Sequence, residues 1–509
     1  MTAENNKRIA KNTIMLYMRM ILIMIVSLYT SRILLEALGV ADLGVYSIIA
    51  GVIILFGFIQ NVTTLGTQRF LSVGLGKNDW LWTNTAFNTS IIVHIIISVV
   101  VFILGETVGL WFVNNHLSIP ADRLNDVTWV FQLSLFSLIV QLMQTPYVAA
   151  MIACEKMDLY AKIGIFDAFQ RWFVVFILTQ YTFPDKLKAY SLFVFIGFFL
   201  VFLCYFLFSV RKFDICKLNL KINKEMLSEM FSFSGWTLLG SLSVVSLSQG
   251  IAILVNMVSG VVANASLGLS EQVLLAINRL TGNFQTAFNP QIIKSYVSGN
   301  TAYLHNLLSQ SSKLSFALVL LAVTPLFVDT EFILGLWLGQ VPDYLASLVK
   351  VICIYILIDC LSGPFVTVIY AVGNLRQYQL VISAIMIANL LFAAVLVYIN
   401  VPLYLVVMSR VSCVLILLMY RFWVVGRIIN FGIKEYLLKT ILRLVIVGCA
   451  SIFLTSQINT ILEKSIVGLL LLVMISSFIV IVLFFIVAFT GSERKFCKDK
   501  VRLVWHKIF

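Results

Sequence analysis

The chain has 509 residues, of which 61% are hydrophobic and only 12% charged, and it carries a formal net charge of +13. A soluble protein is roughly half apolar and about a quarter charged, so a single soluble core cannot use this much apolar surface and the excess must face lipid. The positive balance does not point to nucleic acid. The basic residues are scattered through short loops between apolar runs, as membrane proteins keep Lys and Arg in cytoplasmic loops.

A helix crosses the hydrocarbon with about 20 residues. In chain order the apolar runs predict an all-α integral membrane protein with about fourteen transmembrane helices. The first six lie near 13–35, 43–66, 81–104, 127–151, 163–180 and 187–209. The next six lie near 234–256, 262–288, 313–333, 345–371, 379–399 and 403–424, and the last two near 440–459 and 466–489. The first run is too long for a signal-peptide core and ends without a clear cleavage motif. Lys7, Arg8 and Lys11 precede the first span, and Arg494, Lys495, Lys498, Lys500, Arg502 and Lys507 follow the last. Roughly 26 of the 36 basic residues fall on that side, so positive-inside places both termini in the cytoplasm. Trp80, Trp82, Trp111, Trp129, Trp236, Trp337 and Trp423 sit near span ends, as an interfacial belt requires. In the tail, Cys497, Val501, Val504, Trp505 and Ile508 keep helical spacing among basic residues, which predicts a helix lying on the anionic inner leaflet.

Cys154, Cys216 and Cys497 fall in loops read as cytoplasmic, and the other five cysteines fall inside apolar runs, so no disulfide framework is expected. His94, His116, His305 and His506 are far apart and lack metal spacing, so no metal site is expected.

The loop 211–233 divides the first twelve spans six and six. Gln68 and Gly76 after span two match Gln291 and Gly299 after span eight at a shift of 223 residues. Gly39-Val40 and Leu43-Gly44 resemble Gly260-Val261 and Leu267-Gly268. These matches predict a duplicated six-helix unit. An even number of spans per unit makes the repeats parallel, with a substrate site between them. The predicted organisation is a bundle with its linking loop at 1–232, a second bundle at 233–435, and two extra helices with a basic tail at 436–509.

The run Asn12-Thr13, Arg19, Ser31-Arg32, Leu38-Gly39 and Gly44-Val45-Tyr46 resembles the polysaccharide-exporter branch of the multidrug/oligosaccharidyl-lipid/polysaccharide (MOP) superfamily. So does the string from Ala287 to Tyr296 that ends span eight. The resemblance covers essentially the whole chain. It implies an O-antigen-type flippase in a bacterial inner membrane, moving undecaprenyl-pyrophosphate-linked oligosaccharide to the periplasmic leaflet. Its implied partners are that lipid-linked oligosaccharide, membrane lipids and polysaccharide-assembly proteins. No cofactor is implied beyond a proton or sodium gradient.

A charge within a span is costly and marks a functional candidate. Arg32 lies close enough to a span end to snorkel. Arg19 is six residues in and admits both a structural and a functional reading. Asp167 and Arg171 are four apart on one helix and can pair with each other. Arg279 is deep, on a span that also carries Glu271, Gln272, Asn278, Thr281, Asn283 and Gln285. Such a helix cannot face lipid. Arg410 lies inside span twelve and Asp359 near the middle of span ten. A forked guanidinium matches a pyrophosphate and stays charged when buried, so Arg279, Arg410 and Arg19 are candidates for a substrate cavity. Asp359 is the candidate for ion coupling. The competing reading pairs either Arg279 or Arg410 with Asp359 as a structural ion pair. Pro146, Pro325 and Pro364 interrupt spans and predict bends, for gating or for packing.

Two other functions compete. A cation-coupled multidrug exporter of the same superfamily needs acidic residues facing its cavity. A membrane glycosyltransferase needs catalytic loops outside the membrane, and the longest external loop, 105–126, holds no acid–base pair. No catalytic residue is expected, and no GxxxxGK[ST] motif supports an ATP-driven pump.

Overall fold

The computed structural model describes residues 12, 14–24, 26, 30, 33–34, 37–38, 46, 60, 62–111, 113, 124–219, 223–491 and 493–494. The basic N-terminus, Arg32, most of span two, His116 and the tail stretch with Cys497 lie outside them. Among the described residues the protein is helical throughout, without a strand.

The helices are α1 (Ile14–Met24), α2 (62–76), α3 (Trp80–Gly109), α4 (Leu124–Ala153), α5 (Met157–Gln180), α6 (Lys186–Lys212) and α7 (Lys224–Val297). They continue with α8 (Thr301–Val328), α9 (Thr330–Leu338), α10 (Leu345–Asp359), α11 (Gly363–Val372), α12 (Arg376–Tyr398) and α13 (Leu403–Ile429). Last come α14 (Ile433–Asn459) and α15 (Ile466–Ala488). Among the described residues nine helices are long and apolar enough to cross a membrane, and the bent pair α10–α11 makes a tenth. α5 is helical where span five is predicted, but Asp158, Lys162, Asp167 and Arg171 make it polar.

Caps set the helix starts. Asp79 accepts from Trp82 N–H at 2.9 Å, and Asp185 accepts from Leu187 and Lys188 N–H at 2.9 and 3.1 Å. Asn223, Asn300 and Ser465 cap α7, α8 and α15 in the same way. Each side-chain oxygen satisfies a backbone donor that the first helical turn leaves free. The lipid-facing side is legible on α15, where Leu470, Met474, Phe478 and Ile481 form an exposed apolar stripe.

Two differences from the expected spans have physical causes. A loop is predicted between spans seven and eight, but the backbone from Lys224 to Val297 stays helical throughout. The pair Ser259-Gly260 signals a turn there, yet the helix runs through it, since a glycine inside a helix weakens it by only about 1 kcal/mol. The predicted tenth span is instead broken: α10 and α11 meet at an angle of 45°. Pro364 has no N–H and so cannot bond to the carbonyl of Cys360, four residues earlier. Gln285 Nε2 of α7 donates to that carbonyl at 3.1 Å. A Cβ on Gly363 would stand 2.2 Å from Gln285 Oε1, so glycine is what lets the amide reach the break. Pro146 and Pro325 lie within uninterrupted helices.

The chain forms two compact units. The first comprises 1–239, 289–299 and 373–375, and the second 240–288, 300–372 and 376–509. In the first, Val101, Val130, Phe131, Leu135, Leu142 and Leu187 join α3, α4 and α6 in an apolar core. In the second, Phe365, Phe422, Phe431 and Tyr436 pack ring against ring at 4.7–5.8 Å, tying α11, α13 and the start of α14 together. Cys216 is fully buried in the first unit, so it cannot report which side of the membrane it lies on.

Candidate transport site

Three of the four candidate residues lie in the second unit. Arg279 is on α7, where Gly268, Gln272, Ala276, Arg279 and Gly282 are exposed at helical spacing. The face is mixed, since Leu275 is exposed on it as well, and a Cβ on Gly268 or Gly282 would meet nothing within 4 Å. Open space therefore lies one turn from Arg279. Among the described residues, no hydrogen bond or ion pair holds its guanidinium.

Arg410 does not pair with Asp359. Its guanidinium bonds to Glu271, eight residues before Arg279 on α7. The cation that faces Asp359 is Arg421, with Nη1 4.0 Å from Oδ1. Arg421 is buried, and its Nε donates to the Tyr378 hydroxyl at 3.1 Å. Asp359 ends α10 at the 45° break and keeps 34% of its side-chain surface accessible. A carboxylate within a span that remains accessible faces water rather than lipid.

Arg421 escaped the sequence reading, as did the pairing role of Glu271. A signal was present: Arg410 and Arg421 are eleven residues apart, three turns of one face of α13, about 16 Å along its axis. Three guanidiniums therefore stand against two carboxylates in this part of the second unit.

Arg19 is placed in the first unit. Its guanidinium covers the Tyr160 ring at 4.2 Å, and a Cβ on Gly164 would sit 2.0 Å from its Nε. A glycine on α5 thus opens the slot that Arg19 fills, and the cation is packed on an aromatic face. Asp167 and Arg171 pair with each other through two hydrogen bonds of 3.1 Å, as their spacing predicts. No group of three or more His, Cys, Asp or Glu suited to a metal occurs among the described residues.

This layout of helices is shared by solved transporters. A crystal structure of a MATE mutant superposes with a TM-score of 0.71 at 12% identity, covering 83% of this chain and 97% of that one. An outward-facing multidrug resistance MATE family transporter of the MOP superfamily gives 0.70 at 13% identity, covering 85% and 97%. The chain has a MATE-like membrane transporter fold. A MOP superfamily transporter from Pyrococcus furiosus, described as having a binding pocket of reverse polarity that suggests a different function, gives 0.70 at 12%, covering 83% and 96%. Identities this low establish the fold alone. No protein-family model matches the chain, and no curated protein matches it.

Proposed function

We propose that this multi-pass membrane protein is an alternating-access exporter whose cargo is anionic, with a lipid-linked oligosaccharide pyrophosphate as the fitting class. The observation that carries this reading is Arg279, whose guanidinium has no partner among the described residues and lies one turn from the open space at Gly282. The carboxylates Glu271, Asp359 and Asp167 each face an arginine, which leaves little free negative charge to hold a cationic drug. Arg410 is the second cargo contact, released when Glu271 is displaced. In this reading the protein sits in a bacterial inner membrane with both termini cytoplasmic, has no catalytic role, and works with polysaccharide-assembly proteins. Asp359, held by Arg421 at a broken helix, is the coupling carboxylate for a proton or sodium gradient.

A second reading, cation-coupled multidrug export, has the solved neighbours on its side, since those similar in fold are MATE transporters. Those comparisons favour it over the flippase. The charge layout described above favours an anionic cargo.

Complementation of glycan export, with membrane abundance measured in parallel, separates the two. Arg279→Ala loses a desolvated charge contact, on the order of 2–5 kcal/mol, and abolishes export at normal abundance. Arg279→Lys keeps the charge without the fork and restores export in part. Full export by Arg279→Ala, or efflux of cationic dyes that is indifferent to Arg279, contradicts the flippase reading.

A further inference from the structure

The first unit holds a buried ion cluster that the transport site does not use. α4 ends at Ala153, and the turn after it closes with Glu155 N–H on Ile152 O at 2.9 Å and Lys156 N–H on Met151 O at 3.0 Å. These are the two bonds of a Schellman cap, whose left-handed position glycine usually fills. Here it is Glu155, at φ +58°. Its side chain is only 1% exposed. Gln291 Nε2 donates to both carboxylate oxygens, at 2.9 and 2.8 Å, and Lys294 Nζ donates at 2.7 Å. α2 supports the same segment: a Cβ on Gly76 would lie 3.2 Å from Lys294 Cα and from Val297 Cβ.

Gln291 and Lys294 belong to the end of α7. That helix counts with the second unit through Phe288 and with the first from Asn289 onward. Pro290 stands at the transition and leaves the carbonyl of Thr286 without its helical donor. A bend of α7 at Pro290 therefore loads the segment 289–299 and its contact with Glu155. The chemistry of the contact suits a reversible one. Burying a carboxylate and an ammonium costs desolvation that nearly offsets their attraction, and both groups are well solvated once water enters. Backbone strain at the carboxylate, where a glycine would be relaxed, is characteristic of switch positions.

We propose that Glu155, Gln291 and Lys294 form a latch that seats 289–299 on the first unit and opens during the transport cycle. The proposal rests on the transporter reading and is independent of the cargo. In the closed latch the neighbouring Cys154 is only partly exposed. Burial pushes its thiol up to about 11, with Lys294 opposing and Glu155 adding to the shift. Cys216, fully buried in the same unit, is the internal control.

The experiment is site-resolved modification of the full-length chain in membrane vesicles by a small permeant thiol reagent, quantified by mass spectrometry at Cys154 and Cys216. Wild-type protein reacts slowly at Cys154, which is partly exposed and carries a raised thiol pKa while the latch is closed. Glu155→Gln reacts more than tenfold faster at Cys154, with Cys216 still protected and membrane abundance unchanged. If Glu155→Gln fails to insert, Gln291→Ala gives the same pattern with a smaller, roughly threefold acceleration. Equal Cys154 rates in wild type and variant overturn the latch. So does parallel exposure of Cys154 and Cys216, which marks loss of the fold rather than release of a contact.

Discussion

Two turns occupy corresponding places in the chain, one after the fourth predicted span and one after the tenth. Both require a left-handed residue: Glu155 at φ +58° in one, Gly373 at φ +88° in the other. At Gly373 a Cβ would stand 1.9 Å from Arg69 Nη2, so any side chain there would displace that guanidinium. Arg69, stacked on Phe70 and Phe233 at 4.6 and 5.3 Å, fills the space itself. At Glu155 a carboxylate is present although the left-handed backbone costs roughly 1–2 kcal/mol for a residue with a Cβ. One turn thus admits a cation from a neighbouring helix, and the other supplies an anion to one. The two turns share a left-handed backbone and differ in the chemistry placed on it.

The comparison breaks first at Gly373. Gly373→Ala adds the backbone penalty, ~1–2 kcal/mol, and evicts Arg69 from its aromatic seat. The expected result is the largest here: several-fold lower membrane abundance and a clear drop in thermal midpoint, read by size-exclusion after heating. A smaller effect is expected at Glu155, where the two contributions oppose. Glu155→Gly relaxes the backbone but removes a charge-assisted hydrogen-bond acceptor, with each such bond worth about 1.5–3 kcal/mol. Glu155→Ala loses the acceptor and keeps the strain. The predicted order of midpoints is wild type, then Gly, then Ala. If Gly equals or exceeds wild type, the buried carboxylate contributes no more than the ~1–2 kcal/mol of strain it is set against. If Ala equals Gly, the strain argument is wrong.

The smallest effect concerns a third carboxylate, Glu493, which follows α15 and accepts from Lys313 Nζ at 2.9 Å and from Thr490 N–H at 2.7 Å. Burial raises its pKa, but the hydrogen bonds from Thr490 and Lys313 outweigh that and hold it below the ordinary glutamate value. A depressed carboxyl stabilises above its unfolded pKa, roughly 4.3, and that contribution is lost as pH falls through the lower folded value. Titration of the thermal midpoint from pH 7 to pH 3.5 should show a loss below about 1 kcal/mol, absent in Glu493→Gln. An equal loss in Glu493→Gln would assign the effect to other groups.

Most of the helices are legible in the apolar runs because lipid punishes any other reading of twenty apolar residues. Continuity across 257–261 is not, because a drop in apolarity looks the same whether the helix ends or persists. The break at Asp359 is half legible: Pro364 announces it, but the donor that satisfies Cys360 comes from Gln285, 75 residues away. Separation in sequence likewise hid the partners of Arg410 and Asp359. Spacing along one helix exposed the Asp167–Arg171 pair, whereas Arg421 and Glu271 acquire their roles only when three helices meet. Glu155 carried no signal at all, since a glutamate after a helix reads as a solvated loop residue.

The central claim, an anionic cargo met by Arg279, is tested most directly by binding to the purified full-length protein in lipid nanodiscs. The probes are a lipid-linked pyrophosphate and a cationic dye, each measured with wild type and Arg279→Ala. The account predicts that the pyrophosphate binds wild type and that Arg279→Ala weakens it at least 30-fold, about 2 kcal/mol, with the dye bound weakly by both. Tight dye binding by wild type, together with pyrophosphate binding that Arg279→Ala leaves unchanged, would contradict it.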